Sequence, residues 1–142
     1  MDEERRAANQ RGHHRVALRV LAERLAVCRL PATAPWPSPA QATGFWSVTR
    51  TSGELSVVCA EDVVPSGDGV RVEAGWRLLE VAGPLDFSLV GVMAGITASL
   101  AAAGISVFVV STYDTDYVLV RSTTLERAVE ALRSAGYTVD VG

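Results

Sequence analysis

The sequence contains no lysine. All thirteen basic residues are arginines, and sixteen acidic residues bring the net charge to −3 and the pI to 5.3. No basic block follows the N-terminus, which argues against nucleic acid as a partner. Histidine is confined to His13 and His14 in a polar tail, so no imidazole stands beside a nucleophile in an ordered stretch. There is no GxSxG and no glycine-rich phosphate cradle, since Gly83-Pro84 supplies one glycine before a helical pattern. Metal ligands would have to be carboxylates alone, so no metal, cofactor or catalytic residue is expected. The two cysteines, Cys28 and Cys59, lie in apolar runs without CxxC spacing. Buried reduced thiols are expected, with a disulfide or a nucleophile as alternatives. No apolar run approaches the ~18 residues of a membrane span. Residues 1–16 are charged and polar, with no signal-peptide core, and are expected to be a disordered extension of a cytoplasmic protein.

What is abundant is apolar residue, 49% of the chain, enough for a core. The clearest stretch centres on Ile105–Arg121, two β-branched and aromatic runs around Tyr113, Asp114, Thr115 and Asp116. It reads as a hairpin with its acids at the tip. Leu89, Val92, Met93, Ile96 and Leu100 precede it at helical spacing; Leu125, Ala128, Val129 and Leu132 follow, closed by Gly136. Strands are expected at Trp76–Val81 and Tyr137–Val141. The order strand, helix, strand, strand, helix, strand is the split βαβ plan of an α+β domain. Leu89, Val92, Ile96 and Leu100 should face the sheet, against Val107, Val109, Leu119 and Val139. The first strand is expected beside the first strand of the hairpin.

The N-terminal half is less regular. Ala17–Leu21 and Leu25–Leu30 read as a hairpin turning at Glu23-Arg24. Four prolines make Pro31–Thr43 a loop, with Trp36 expected as a plug against the sheet. Phe45–Cys59 reads as a second hairpin. Setting Phe45 on Val107 keeps both hairpins in step and puts Glu54 on Asp116, so the half reads as a degenerate copy of the same unit. Asp62–Glu73 carries Pro65, Gly67 and Gly69 and is the candidate boundary, dividing the chain into 17–72 and 73–142.

Two features converge on ligand chemistry. Gly83–Ser88 leads into a helix, whose first N–H groups suit a carboxylate, and Gly91 in the first turn would admit a ligand to the backbone. The plainer alternative is that Asp86 or Ser88 caps the helix. The second feature is the hairpin tip, Thr112, Tyr113, Asp114, Thr115 and Asp116, whose carboxylates could accept an ammonium or guanidinium, or whose Asp and Thr could be ordinary turn residues.

Gly91–Val120 (GVMAGITASLAAAGISVFVVSTYDTDYVLV) resembles the core of an ACT domain of the CASTOR-like class. Phe45–Cys59 and WRLLEVAG resemble the segments around it. That class spans arginine sensors and small bacterial proteins. The resemblance implies a ferredoxin-like βαββαβ fold, tandem with a degenerate N-terminal half. It also implies a non-catalytic, allosteric regulatory module that binds an amino acid and assembles as a homodimer. By the same resemblance Gly91 is the helix-entry glycine, flanked by Val90 and Val92, and Asp116 meets the ligand's cationic end. Arginine-binding members carry an acid where Leu89 stands here. That lost acceptor points to a smaller or less basic ligand.

Overall fold

The computed structural model describes residues 16–38, 44–82 and 91–142. Their order is β1 (Ala17–Leu30), β2 (Ser47–Arg50), β3 (Leu55–Ala60), β4 (Arg71–Val81), α1 (Val92–Ala102), β5 (Val107–Ser111), β6 (Asp116–Arg121), α2 (Leu125–Ser134) and β7 (Thr138–Asp140). Two compact units result: one of residues 1–22 and 77–142, the other of Glu23–Trp76.

The first unit has the expected βαββαβ order, with strands arranged β5-β6-β4-β1-β7. A plain split βαβ sheet would set β4 against β7. Here the start of β1 lies between them. Ala17–Arg19 pairs in parallel with Thr138–Asp140. On its other side β1 runs antiparallel to β4: Ala82 N–H donates to Ala17 O (2.8 Å), and Arg19 meets Glu80 (3.0 Å). Both helices cover one core, in which Leu18, Leu79, Val81, Ile96, Leu100, Val118, Val120, Ala128, Leu132 and Val139 are buried.

Ile96 and Leu100 face the sheet as expected, and Val92 and Val107 pack at the edge of the same core. Leu89 lies outside the described residues. Two expected partners differ. Val109 is 39% exposed on the edge strand, and Leu119 is buried on the face away from the helices, because Val118 and Val120 are the inward residues of β6. α2 closes at Gly136, where φ is 99° and the N–H groups of Gly136 and Tyr137 return to Arg133 O and Leu132 O (both 3.0 Å).

The second unit orders its strands β2-β3-β1-β4. Its core is Ala26, Cys28, Leu30, Leu55, Val57 and Cys59, flanked by Ala34, Val63, Val64 and Val70 from loops. Both thiols are free and buried. A hydrogen bond to Cys59, then burial, pushes the Cys28 thiol far above its ordinary value, so it is no ready nucleophile.

Four expectations about the N-terminal half are revised. β1 is a single strand of 14 residues, not a hairpin. Glu23 and Arg24 are not turn formers, and the Glu23 carboxylate accepts the Phe45 N–H (3.1 Å) instead. Trp36 is no plug. It is 58% exposed, with the Arg50 guanidinium over its ring at 5.8 Å. Arg50 also donates to Ala32 O and Ala34 O, pinning the proline-rich loop. Val16, placed in the disordered extension by sequence, packs against the first unit's core. Residues 17–22 and 73–76 each sort with the other unit from the one their place in the sequence suggests.

Both expected hairpins form, and their tips are closed by the same bonds. Thr51 N–H donates to Glu54 O and Thr112 N–H to Thr115 O, both at 2.9 Å. Each threonine hydroxyl also bonds back across its turn. A single 3-10 turn follows each, Glu61–Val63 and Ser122–Thr124. This correspondence is one residue shorter than the alignment of Phe45 on Val107. Thr115, not Asp116, is therefore the counterpart of Glu54, and Leu55 stands where Asp116 does. A one-residue slip exchanges the faces of a strand, and only the shorter spacing puts Val57 and Val118 both inward.

Candidate functional site

The candidate site lies at the hairpin tip of the first unit. β4 lies beside β6, the second strand of the hairpin, and not beside β5 as sequence suggested. This neighbourhood carries the turn to the end of β4. Thr115, 7% exposed, donates its Oγ1 hydrogen to Val81 O at 2.6 Å. The backbone that leaves β4 toward the helix thus departs from beside the hairpin tip.

α1 arrives at the same end. Its C-terminus turns through Ala103 and Gly104, with Ile105 N–H returning to Leu100 O (3.0 Å), directly into β5. Eleven helical residues rise about 16 Å, close to the length of the five-residue β5. The start of α1 is therefore level with Ser111 and Asp116, the last pair of the hairpin ladder.

Gly91 is the N-cap rather than a first-turn residue. It sits in the left-handed region (φ 85°, ψ 1°) and accepts the Gly95 N–H at 2.9 Å. It offers no side-chain cap, and no acidic residue stands in the first turn of α1. A Cβ on Gly91 would meet nothing within 4 Å among the described residues. These are the conditions under which helix N–H groups receive a carboxylate.

Asp116 is half-buried and shares the inward phase of Val118 and Val120, on the helix-covered face. Ser111 faces it across the ladder. Thr112, Tyr113 and Asp114 are exposed, Tyr113 at 81%. Tyr117 points to the opposite face, where burial, then the charge of Glu80 and a hydrogen bond to it, push its hydroxyl up. Val92 is half-buried against the core. Asp86, Ser88, Leu89 and Val90 lie outside the described residues. The structure thus gathers Gly91, Ser111 and Asp116 at one end of the unit and leaves Tyr113 and Asp114 pointing to solvent. Thr115 was legible in sequence only as a tip residue, and Ser111 was not singled out. The alternation Val107, Val109, Ser111 was the available signal for the latter.

The fold defines an α+β module of ferredoxin-like topology, in which the glycine N-cap of α1 and a hairpin acid lie at the same end of the sheet. The ACT domain model matches residues 71–134, and a second model, described as an N-terminal domain, matches residues 23–67. Residues 71–134 thus carry an ACT domain. The chain is 31% identical over 103 residues to the human cytosolic arginine sensor for mTORC1 subunit 1, covering 68% of this chain and 31% of that protein's length. A crystal structure from Agobacterium tumefaciens is 38% identical, covers 90% of this chain and 94% of its own, and has a TM-score of 0.81. The regulatory subunit of aspartate kinase from Thermus flavus shares the fold at 12% identity, with a TM-score of 0.57 over 84% of this chain and 95% of its own. No helix among the described residues is long and apolar enough to cross a membrane, and no group of three or more potential metal ligands occurs among them.

Proposed function

We propose that this chain is a regulatory module that binds an amino acid, without chemistry, at the end of the first unit where α1 starts. The observation that carries the reading is the bond from Thr115 to Val81 O, which ties the hairpin acid to the strand that feeds the helix. The left-handed Gly91 and the first N–H groups of α1 receive the ligand carboxylate. Asp116 accepts its ammonium or a side-chain cation, and Thr112, Tyr113 and Asp114 rim the entrance. Asp86, Ser88, Leu89 and Val90, which precede Gly91 in sequence, belong to the same proposal. Kinship with an arginine sensor supports an amino-acid ligand. With Leu89 in place of an acid, that ligand is less basic than arginine.

The second unit is read as a degenerate ACT-like copy, supported by the matching tip bonds and the N-terminal-domain match. Its helices are replaced by covering loops, and Arg50 fills the place of Ser111. The module works in the cytoplasm as a homodimer. Exposed Val109 on the edge strand β5 supports pairing between copies. A thermal-shift screen of the twenty amino acids tests the function: at least one should raise the melting temperature at millimolar concentration. If none does, pairing without a ligand is the better account.

A further inference from the structure

A second feature of the first unit lies away from the hairpin tip. A groove of about 580 Å³ runs along α2, with Val20, Leu125, Val129 and Val141 as apolar lining and Arg77, Glu126, Glu130 and Arg133 as its charges. Arg77 is four residues back along β4 from Val81, about 13 Å at the rise of a strand.

Arg77 is half-buried without a counter-ion. Its Nη2 donates to Leu21 O at 3.0 Å, while its Nε–H is sealed from solvent with no partner. Nη1 makes no hydrogen bond among the described residues. Neither Glu126 nor Glu130 forms an ion pair with it among the described residues. Arg133 is committed to Val139 O (2.7 Å). A guanidinium withdrawn from water costs free energy unless an anion meets it. Here the backbone carbonyl of Leu21 supplies only a dipole. The unmet charge lines a groove with aliphatic side chains beside it and with Glu126, Glu130 and Arg133 at its exposed positions. Two exposed acids against one exposed arginine disfavour a dianion, and a single carboxylate with a branched aliphatic body is the matching ligand.

We infer that this groove is a second binding site, for an aliphatic monocarboxylate whose carboxylate meets Arg77 and whose body lies on Val20, Leu125 and Val129. Methyl NMR on the full chain tests it with 4-methylpentanoate and its neutral amide. The acid should shift the Val20 and Val129 methyl signals saturably in the low millimolar range, and the amide should not. Arg77→Gln should weaken binding tenfold or more, since a charge-assisted contact is lost. Glu130→Lys, an exposed change that leaves the fold alone, should tighten it severalfold by adding a cation to the groove. Asp116→Asn should leave these shifts unchanged, which separates this groove from the hairpin site. Leucine binding here more tightly than 4-methylpentanoate would identify the natural source as an amino acid; the reverse order would identify a deaminated acid. Equal shifts with acid and amide, or acid affinity unmoved in both groove variants, overturns the assignment. So does the absence of saturable shifts in the wild-type chain.

Discussion

Thr115→Val is the most informative single change for the fold of the candidate site. The substitution keeps the β-branched shape and removes one hydroxyl. In the native chain that hydroxyl is buried and donates to Val81 O at 2.6 Å, so the variant strips this bond from the carbonyl. Losing one partner of a buried hydrogen bond costs about 1–3 kcal/mol, against roughly 0.5–1.5 when the exchange with water is balanced. With Thr115 at 7% exposure, water cannot fully replace the donor, and the upper range applies. The remaining tip bonds, Thr112 N–H and Oγ1 to Thr115 O, involve the backbone of residue 115 and survive. The loss should therefore appear in the urea midpoint without a change in slope, as expected when stability changes and compactness does not. Thr115→Ser, which keeps the donor, should recover most of it. If Thr115→Val unfolds within about 0.3 kcal/mol of wild type, the bond does not hold the tip to β4. The placement of Asp116 beside the helix-feeding strand would then lose its support.

Other outcomes follow from burial and charge. Ile96, fully buried between α1 and the sheet, should cost about 2–5 kcal/mol when cut to alanine, read by chemical denaturation. Trp36→Ala should cost no more than about 1 kcal/mol, because an exposed ring under a guanidinium contributes only that order; a larger loss would restore the plug. Tyr137 is pushed up by burial, so the folded chain holds this proton more tightly than the unfolded one. Its contribution is complete below the ordinary tyrosine value of about 10 and is lost as pH rises through the raised value. Tyr137→Phe should accordingly flatten the alkaline fall of the melting temperature.

The helices and the hairpin Ile105–Arg121 were legible because each rests on a local period. Ile96, Leu100, Ala128 and Leu132 follow the helical spacing, and β-branched residues crowd both hairpin arms. The path of β1 was not. Glu23-Arg24 interrupts the hydrophobicity at the point where the strand passes from residues of one unit to those of the other, and a charged pair mid-strand imitates a turn. The insertion of Ala17–Arg19 beside Thr138–Asp140 joins opposite ends of the chain, and no local pattern records such pairing. The register of the two hairpins is hard to read for a related reason. Two apolar arms align almost equally well one residue apart, and only inward burial of Val57 and Val118 separates the choices. At the candidate site the glycine and the acid were visible as residue types. The hydroxyl that binds their two supports together, that of Thr115, looked like an ordinary turn residue.

Gly91→Ala complicates the site's own test, because a left-handed φ of 85° costs a side chain about 1–2 kcal/mol even with no described residue within 4 Å of its Cβ. Asp116→Asn has no such cost to the backbone and removes only charge. Calorimetric titration of wild type and Asp116→Asn with the strongest amino acid from the thermal screen is therefore the most direct measurement. Loss of a charged hydrogen bond of about 1.5–3 kcal/mol predicts roughly tenfold to hundredfold weaker binding with an unchanged circular dichroism spectrum. Equal affinity in the two proteins would contradict the account, leaving Asp116 a turn residue and the receptor at this end of the sheet without its acid.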